Sequence, residues 1–294
     1  MASRYQIENN YFIVEMSPKG AEMSRLFAKP WNRELLWVPL EEKDRKIWNR
    51  SSPILFPIVG KLKNDTYTFK GKSYQMSQHG FARDQEFKCL LSNINEIEFL
   101  LEASQTTFKN YPFCFELRLK YALEEEKLIM TYSVTNVDRQ DIFFSIGAHP
   151  AFETTNVENY EIQFEEAGNN FYQLKNSLVE WSEAHPIDGK ILRLNKELFE
   201  KDALIFRNLK SKYIDLVDRT RKEVIRINGT NTPFFGIWGK DSVPFICLEP
   251  WFGVSDDFNH DQNLENKKGI QTLAMGETFC FSYSIELRFQ ETSI

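Results

Sequence analysis

The chain has 294 residues, of which 42% are hydrophobic, 27% charged and 14% aromatic, chiefly Phe. That balance belongs to a globular chain with a large core and excludes a disordered one, and the aromatic share favours strands over helices. The net charge of −6 comes from charges mixed along the sequence, with no basic block to neutralise phosphate backbones, so nucleic acid is not an expected partner.

From the N-terminus, Met1-Ala2-Ser3-Arg4-Tyr5-Gln6-Ile7-Glu8 shows no apolar stretch after a basic start. No secretory signal is expected there, and no run reaches membrane-spanning length, so no membrane partner is expected either. Tyr11 to Glu15 and Met23 to Phe27 flank a Ser-Pro-Lys-Gly turn, and Thr66 to Phe69 meets Ser73 to Met76 across Lys70-Gly71-Lys72. Both pairs predict hairpins. A meander is expected over Phe87 to Leu91, Glu96 to Ala103, Phe113 to Leu123, Lys127 to Asn136 and Ile142 to Ile146, and short links between neighbours imply antiparallel pairing.

Further strands are expected at Tyr213 to Asp218, Glu223 to Ile227, Phe234 to Trp238, Phe245 to Leu248 and Thr278 to Phe289. Helical signals are few: a turn over Ser104 to Tyr111, stopped by Pro112, and a short segment near Lys196 to Lys201. Without repeats or a composition shift, the expectation is one mainly antiparallel all-β domain over 1–294. Cys89, Cys114, Cys247 and Cys280 lie far apart in apolar runs without a Cys-x-x-Cys pair, which predicts buried reduced thiols in a cytoplasmic protein.

Three stretches carry chemistry: Gln78-His79-Gly80-Phe81-Ala82-Arg83, Gly147-Ala148-His149-Pro150-Ala151-Phe152 and Cys247-Leu248-Glu249-Pro250-Trp251-Phe252. Each sets one titratable residue among Gly, Pro and aromatic neighbours at the end of a strand-like segment. His149 emerges where Pro150 stops the ladder, and Glu249 closes an apolar run in which an unpaired carboxylate is costly. Two imidazoles and a carboxylate suit a pocket that takes a proton from one oxygen and gives one to another. A structural salt bridge for Glu249 is the competing explanation.

Elsewhere the signals are weaker. His185 falls in a polar Glu-Ala-His-Pro turn. His260 sits among Asp256, Asp257 and Asp261 in the long polar connection between Trp251 and Ile270, where the spacing fits neither an EF-hand nor a zinc helix and reads as a flexible acidic loop bordering a site. There is no nucleophile elbow and no Gly-rich phosphate loop.

With these stretches in this order, the chain resembles the aldose 1-epimerases, or galactose mutarotases, especially their shorter bacterial members. The likeness also takes in Lys19-Gly20-Ala21-Glu22, Glu34-Leu35-Leu36-Trp37-Val38 and Ser52-Pro53-Ile54-Leu55-Phe56-Pro57-Ile58-Val59-Gly60. It implies a β-supersandwich with a sugar cleft and interconversion of the α and β anomers of a free aldose, without cofactor or metal. On this resemblance Glu249 is the general base, His149 the general acid and His79 a histidine that positions and polarises the sugar. With reference pKa values of about 4.3 and about 6.5, an ionised carboxylate and a partly protonated imidazole are both available near neutral pH.

Substrate contacts are expected from Lys61, which stands where larger mutarotases have an arginine, and from Trp251. The family's substrate-binding aspartate falls among Asp188, Asp202, Asp215 and Asp218. Arg50 and Arg83 point instead to a hexose 6-phosphate as the substrate, since guanidinium suits phosphate. A non-catalytic sugar-binding module of the same fold would carry the same motifs. A carbohydrate hydrolase or lyase fits less well, because hydrolysis usually needs paired carboxylates.

Overall fold

Burial alternates strictly along Phe115–Glu124 and Lys127–Asn136, and the two strands pair in unbroken register from Phe115↔Asn136 to Glu124↔Lys127. The period-two pattern puts one face into the core and leaves the other half-wet. In this computed structural model residues 4–230, 232–240 and 243–289 are described, so Met1–Ser3 and Gln290–Ile294 of the expected 1–294 domain lie outside the described residues.

Two large antiparallel sheets dominate. The nine-stranded sheet runs in the order Ile191–Arg193, Tyr160–Phe164, Tyr213–Asp218, Glu223–Asn228, Thr278–Phe289, Lys127–Asn136, Phe115–Glu124, Glu96–Glu102, Lys88–Ser92. The eight-stranded sheet runs Leu178–Pro186, Asn170–Lys175, Leu204–Arg207, Phe234–Lys240, Val243–Phe252, Ile146–Ala148, Ile54–Leu55, and Ala151–Glu153 also pairs with Val243–Phe252. A four-stranded sheet, Tyr5–Glu8, Phe12–Met16, Met23–Ala28 and Arg33–Glu34, packs beside them. Phe99, Phe115 and Leu117 of one large sheet and Phe206, Phe235, Ile246 and Leu248 of the other belong to a single buried cluster. The mainly antiparallel all-β architecture is the expected one.

Local expectations resolve in detail. Thr66–Phe69 and Lys72–Gln75 close around Lys70-Gly71, both at positive φ, as a two-residue hairpin turn requires. The helical turn forms at Gln105–Phe108, where the Ser104 hydroxyl accepts from the Thr107 N–H. Near Lys196 to Lys201 only a single 3₁₀ turn, Glu197–Phe199, forms. A helix at Glu42–Ile47 was not expected; it buries none of its residues and rests on a capping box from Glu41 and Asp44. The cysteine expectation needs correction: all four are free, but only Cys247 is buried, while Cys280 is exposed and Cys89 and Cys114 are half-buried. Cys280 falls on the wet face of its strand.

Candidate active site

Along Val243–Phe252 the side chains alternate: Ile246 and Leu248 enter the core between the sheets, while Phe245, Cys247 and Trp251 belong to clusters on the opposite face. Glu249 shares that face and is 1% exposed. The strand runs on to Phe252, which corrects the expectation of a strand over Phe245 to Leu248. It continues because Pro250 lies where its neighbours change. Ala151 pairs with Cys247 and Gly147 with Trp251, and the interruption between these two partners is His149-Pro150.

That interruption builds the pair. Pro150 has no N–H for the ladder, so pairing lapses and His149 projects beside Glu249, with Nε2 3.2 Å from Oε2. Trp48 lies against the His149 ring at 5.2 Å, tilted by 30°, and Trp238 meets it edge-on at 5.7 Å. Beneath Glu249, the Trp251 indole crosses Gly147 and Gly236; a Cβ on either would stand 2.6 or 2.5 Å from its carbons.

His79 arrives from a different element. It and Gly80 hold φ of 66° and 72°, and a Cβ on Gly80 would lie 2.2 Å from the Phe56 carbonyl oxygen, so glycine is required. The His79 N–H donates to Gly60 O at 2.8 Å, and the Gly60 N–H donates to His79 Nδ1 at 3.1 Å. An accepting Nδ1 assigns the neutral ring's proton to Nε2. The His79 and His149 rings stand 5.6 Å apart at 84°.

His79, Arg83, His149, Asp202, Trp238 and Glu249 share one cleft of about 520 Å³, with Trp48, Trp251 and Ser255 also on its walls. Burial, reinforced by the charge of Asp202, pushes the Glu249 carboxyl well above its usual range. Burial lowers His149 to about 3, and it lowers His79 well below normal, with help from His149 and Arg83. Glu249 and His149 therefore hold one proton between them over a wide range of pH. This replaces the picture of a freely ionised carboxylate beside a half-protonated imidazole.

Of the expected sugar contacts, Arg83 and Trp251 line the cleft, and Arg83 Nη2 donates to Gln78 O at 2.7 Å. Arg50 does not reach it: its guanidinium donates to Asp84 Oδ1 at 2.6 Å and to Arg83 O at 3.0 Å, bracing the turn from behind. Lys61 likewise turns away, its Nζ 3.7 Å from Asp65 Oδ1 in a neighbouring hollow with Gln75 and Ser77. Among the four aspartates, Asp202 is in the cleft. Asp215 forms a two-pronged bond to Arg226, Asp218 accepts from the Thr220 and Arg221 N–H groups, and Asp188 is exposed.

Sequence reasoning weighed Trp48, with Trp37 and Trp251, as a face for sugar C–H groups but set it aside as a packing residue, and it missed Trp238. The visible signal for Trp238 was its place two residues from Gly236, on one face of a strand with room above it.

The connection between Trp251 and Ile270 borders the cleft through Ser255 but is not a loose acidic loop. Lys267, 3% exposed, donates to Val254 O at 2.6 Å and to Asp256 Oδ1 at 2.7 Å. Asp256 Oδ2 accepts from the Lys63 N–H, and the Asp256 N–H donates to Lys61 O, both at 2.9 Å. His260 is held here too, its Nδ1 accepting from the Gln262 N–H at 3.0 Å. His185 lies in the strand Leu178–Pro186 and stacks on Phe171 instead of standing in a polar turn.

A sandwich of two such sheets with an acid-lined cleft on the outer face of one of them is the galactose mutarotase-like architecture. The chain belongs to the aldose 1-epimerase family, whose model matches residues 3–286. It is similar to a galactose mutarotase related enzyme from Lactobacillus acidophilus, at 33% identity and TM-score 0.92 over 98% of this chain and 99% of that one. A galactose mutarotase-like protein from Lactobacillus casei aligns with TM-score 0.91 and 28% identity over 97% of this chain and 100% of that one. Protein LacX, chromosomal, of Lactococcus lactis subsp. lactis is 29% identical, spanning 96% of this chain and 98% of its own length. Among the described residues no helix is long and apolar enough to cross a membrane.

Proposed function

We propose that this protein is an aldose 1-epimerase that opens and recloses the ring of a free aldose by general acid–base catalysis. The observation that carries the reading is the 3.2 Å Glu249–His149 contact at the cleft floor, sharing one transferable proton. Ring opening needs one base and one acid at the same moment. Once the pair's one proton has passed from the Glu249 carboxyl to His149 Nε2 across the 3.2 Å contact, a sugar seated on the pair supplies its anomeric O–H to Glu249 while His149 gives that proton to the ring oxygen. The C1–O5 bond breaks, the aldehyde forms, rotation about C1–C2 turns the carbonyl, and the reverse transfers close the other anomer. The pair ends with the one proton it began with.

The surroundings support the same roles. His79 offers its Nε2–H to a sugar oxygen, Asp202 and Arg83 offer an acceptor and a donor for hydroxyls, and the indoles of Trp48 and Trp238 give apolar faces for C–H groups. The test is NMR or polarimetry on freshly dissolved α-glucose and α-galactose. Wild type should speed equilibration, and Glu249→Gln or His149→Ala should each lower kcat by about 10²–10⁴. Equal rates with and without wild type, across several aldoses, would favour a sugar-binding module instead.

One observation favours a second reading, a 6-phosphorylated aldose: the Arg83 guanidinium stands on the cleft wall beside His79. On that reading a hexose 6-phosphate outcompetes the free sugar in kcat/KM, and Arg83→Gln removes the preference.

A further inference from the structure

Cys247 precedes Glu249 by two residues on the same face of Val243–Phe252 and lies wholly buried beside Trp37, Ala151 and Phe245. Its sulfur, a His149 ring nitrogen and a Glu249 carboxylate oxygen all lie within 4.8 Å of one another. The thiol is free, buried His149 Nδ1 has no hydrogen-bond partner among the described residues, and Glu249 Oε2 meets His149 Nε2 at 3.2 Å outside hydrogen-bonding geometry. Acid–base chemistry on a sugar accounts for the imidazole and the carboxylate. It leaves the thiol without a role.

We infer that Cys247, His149 and Glu249 form a Zn²⁺ site at the cleft floor, and that the bound ion shuts off the sugar reaction. A thiolate, an imidazole and a carboxylate are the donor set that selects zinc over magnesium or calcium. Zn–S of about 2.3 Å and Zn–N or Zn–O of about 2.0–2.2 Å put tetrahedral ligand atoms roughly 3.3–3.7 Å apart. The imidazole and carboxylate already stand at 3.2 Å, and the sulfur closes the remaining distance by side-chain rotation. The fourth position faces the cleft and takes a water.

Binding breaks the S–H bond and forms Zn–S. The thiol proton and the proton held by the pair leave to solvent through the cleft, and no redox change occurs. With its lone pairs on the metal, the pair has neither a base nor an acid to offer, and a sugar must displace the ion to react. Zinc inhibition is therefore competitive with sugar.

The inhibition readout rests on the epimerase reading; a spectroscopic one does not. Zn²⁺ added to the purified full chain should inhibit anomerisation, reversibly on adding EDTA, with higher sugar concentration raising the Zn²⁺ needed and Mg²⁺ having no effect. Cys247→Ala and Cys247→Ser, one smaller and one nearly isosteric, should keep the basal rate and need at least about tenfold more Zn²⁺ for half-inhibition. Titrating Co²⁺ into wild type should produce a thiolate-to-metal charge-transfer band that both variants lack. Equal Zn²⁺ sensitivity in the variants, or no such band in wild type, overturns the site. If no sugar is anomerised at all, the epimerase reading fails while the Co²⁺ titration still decides the metal.

Discussion

The Glu249–His149 pair makes stability depend on pH in an unusual way, because burial moves its two members in opposite directions. Unfolded, Glu249 ionises near 4.5 and His149 near 6.5; folded, the carboxyl keeps its proton to far higher pH and the imidazole refuses one until about 3. Between 4.5 and 6.5 both states carry one proton on the pair, so it adds no slope there. Above 6.5 the folded pair holds one proton more than the unfolded, and its contribution falls as pH rises. Below 4.5 the unfolded pair holds two against one, and the contribution falls as pH drops toward about 3. Urea denaturation of wild type and of Glu249→Gln/His149→Gln at roughly pH 3.5, 5.5 and 8.5 should show the largest difference in the middle. A steady trend through all three would refute the shared proton. The same shifts place the acid limb of kcat/KM near 3, well below an ordinary histidine limb. Glu249, His149 and His79 were legible in the sequence because Pro150, Pro250 and Gly80 mark where backbone rules change. Arg50 and Lys61 misled because a cation's reach depends on which acid takes it, and Asp84 and Asp65 took these two. Asp202 could not be singled out from four aspartates, since only folding shows which one faces the cleft.

At the level of elements, the segment between Val254 and Ile270 is fastened by a buried ion pair in addition to the apolar contacts of Val254, Leu264 and Ile270. Lys267 and Asp256 are 3% and 2% exposed, so removing the ammonium leaves a carboxylate buried without its counter-charge. Lys267→Met should cost about 3–5 kcal/mol by urea denaturation, and Lys267→Met/Asp256→Leu should recover a large part of it. Because Asp256 also grips the backbone of Lys61 and Lys63, beside the Gly60 N–H that fixes His79, the single variant should also raise KM. An unchanged midpoint and KM would refute this coupling. Strands bounded by marked turns were read to the residue, as at Thr66–Phe69 and Lys127–Asn136, which alternate cleanly, and at Tyr213–Asp218 and Thr278–Phe289. Those from Tyr160–Phe164 to Leu204–Arg207 were not. Tyr160–Phe164 is buried on both faces apart from Gln163, and Asn170–Lys175 slips register against its partner between Phe171 and Gln173. Tyr160–Phe164 does alternate in sequence, Tyr-Glu-Ile-Gln-Phe, yet its buried Glu161 departs from the polar-out rule, and the slipped register of Asn170–Lys175 breaks its own period.

Across the whole molecule, two small apolar clusters line the far face of the eight-stranded sheet, while one much larger cluster joins both large sheets. Phe144, fully buried against Phe56 and Phe279, lies in that cluster. Phe144→Ala should lower stability by about 3–5 kcal/mol. Circular dichroism and tryptophan fluorescence should still report one transition, since the indoles of Trp238 and Trp251 ride on the sheet that the core supports and Trp48 packs against it. A fluorescence change well before loss of strand signal would show that the cleft sheet melts alone. The order of strands also bears on biosynthesis. Thr278–Phe289 occupies the slot between Glu223–Asn228 and Lys127–Asn136, yet a ribosome releases it after both. For on the order of ten seconds at ordinary ribosome speeds, Lys127–Asn136 waits with an open hydrogen-bonding edge. Translation that halts ahead of Thr278 leaves a sheet split down its middle, a nascent chain for holdases and proteases to manage.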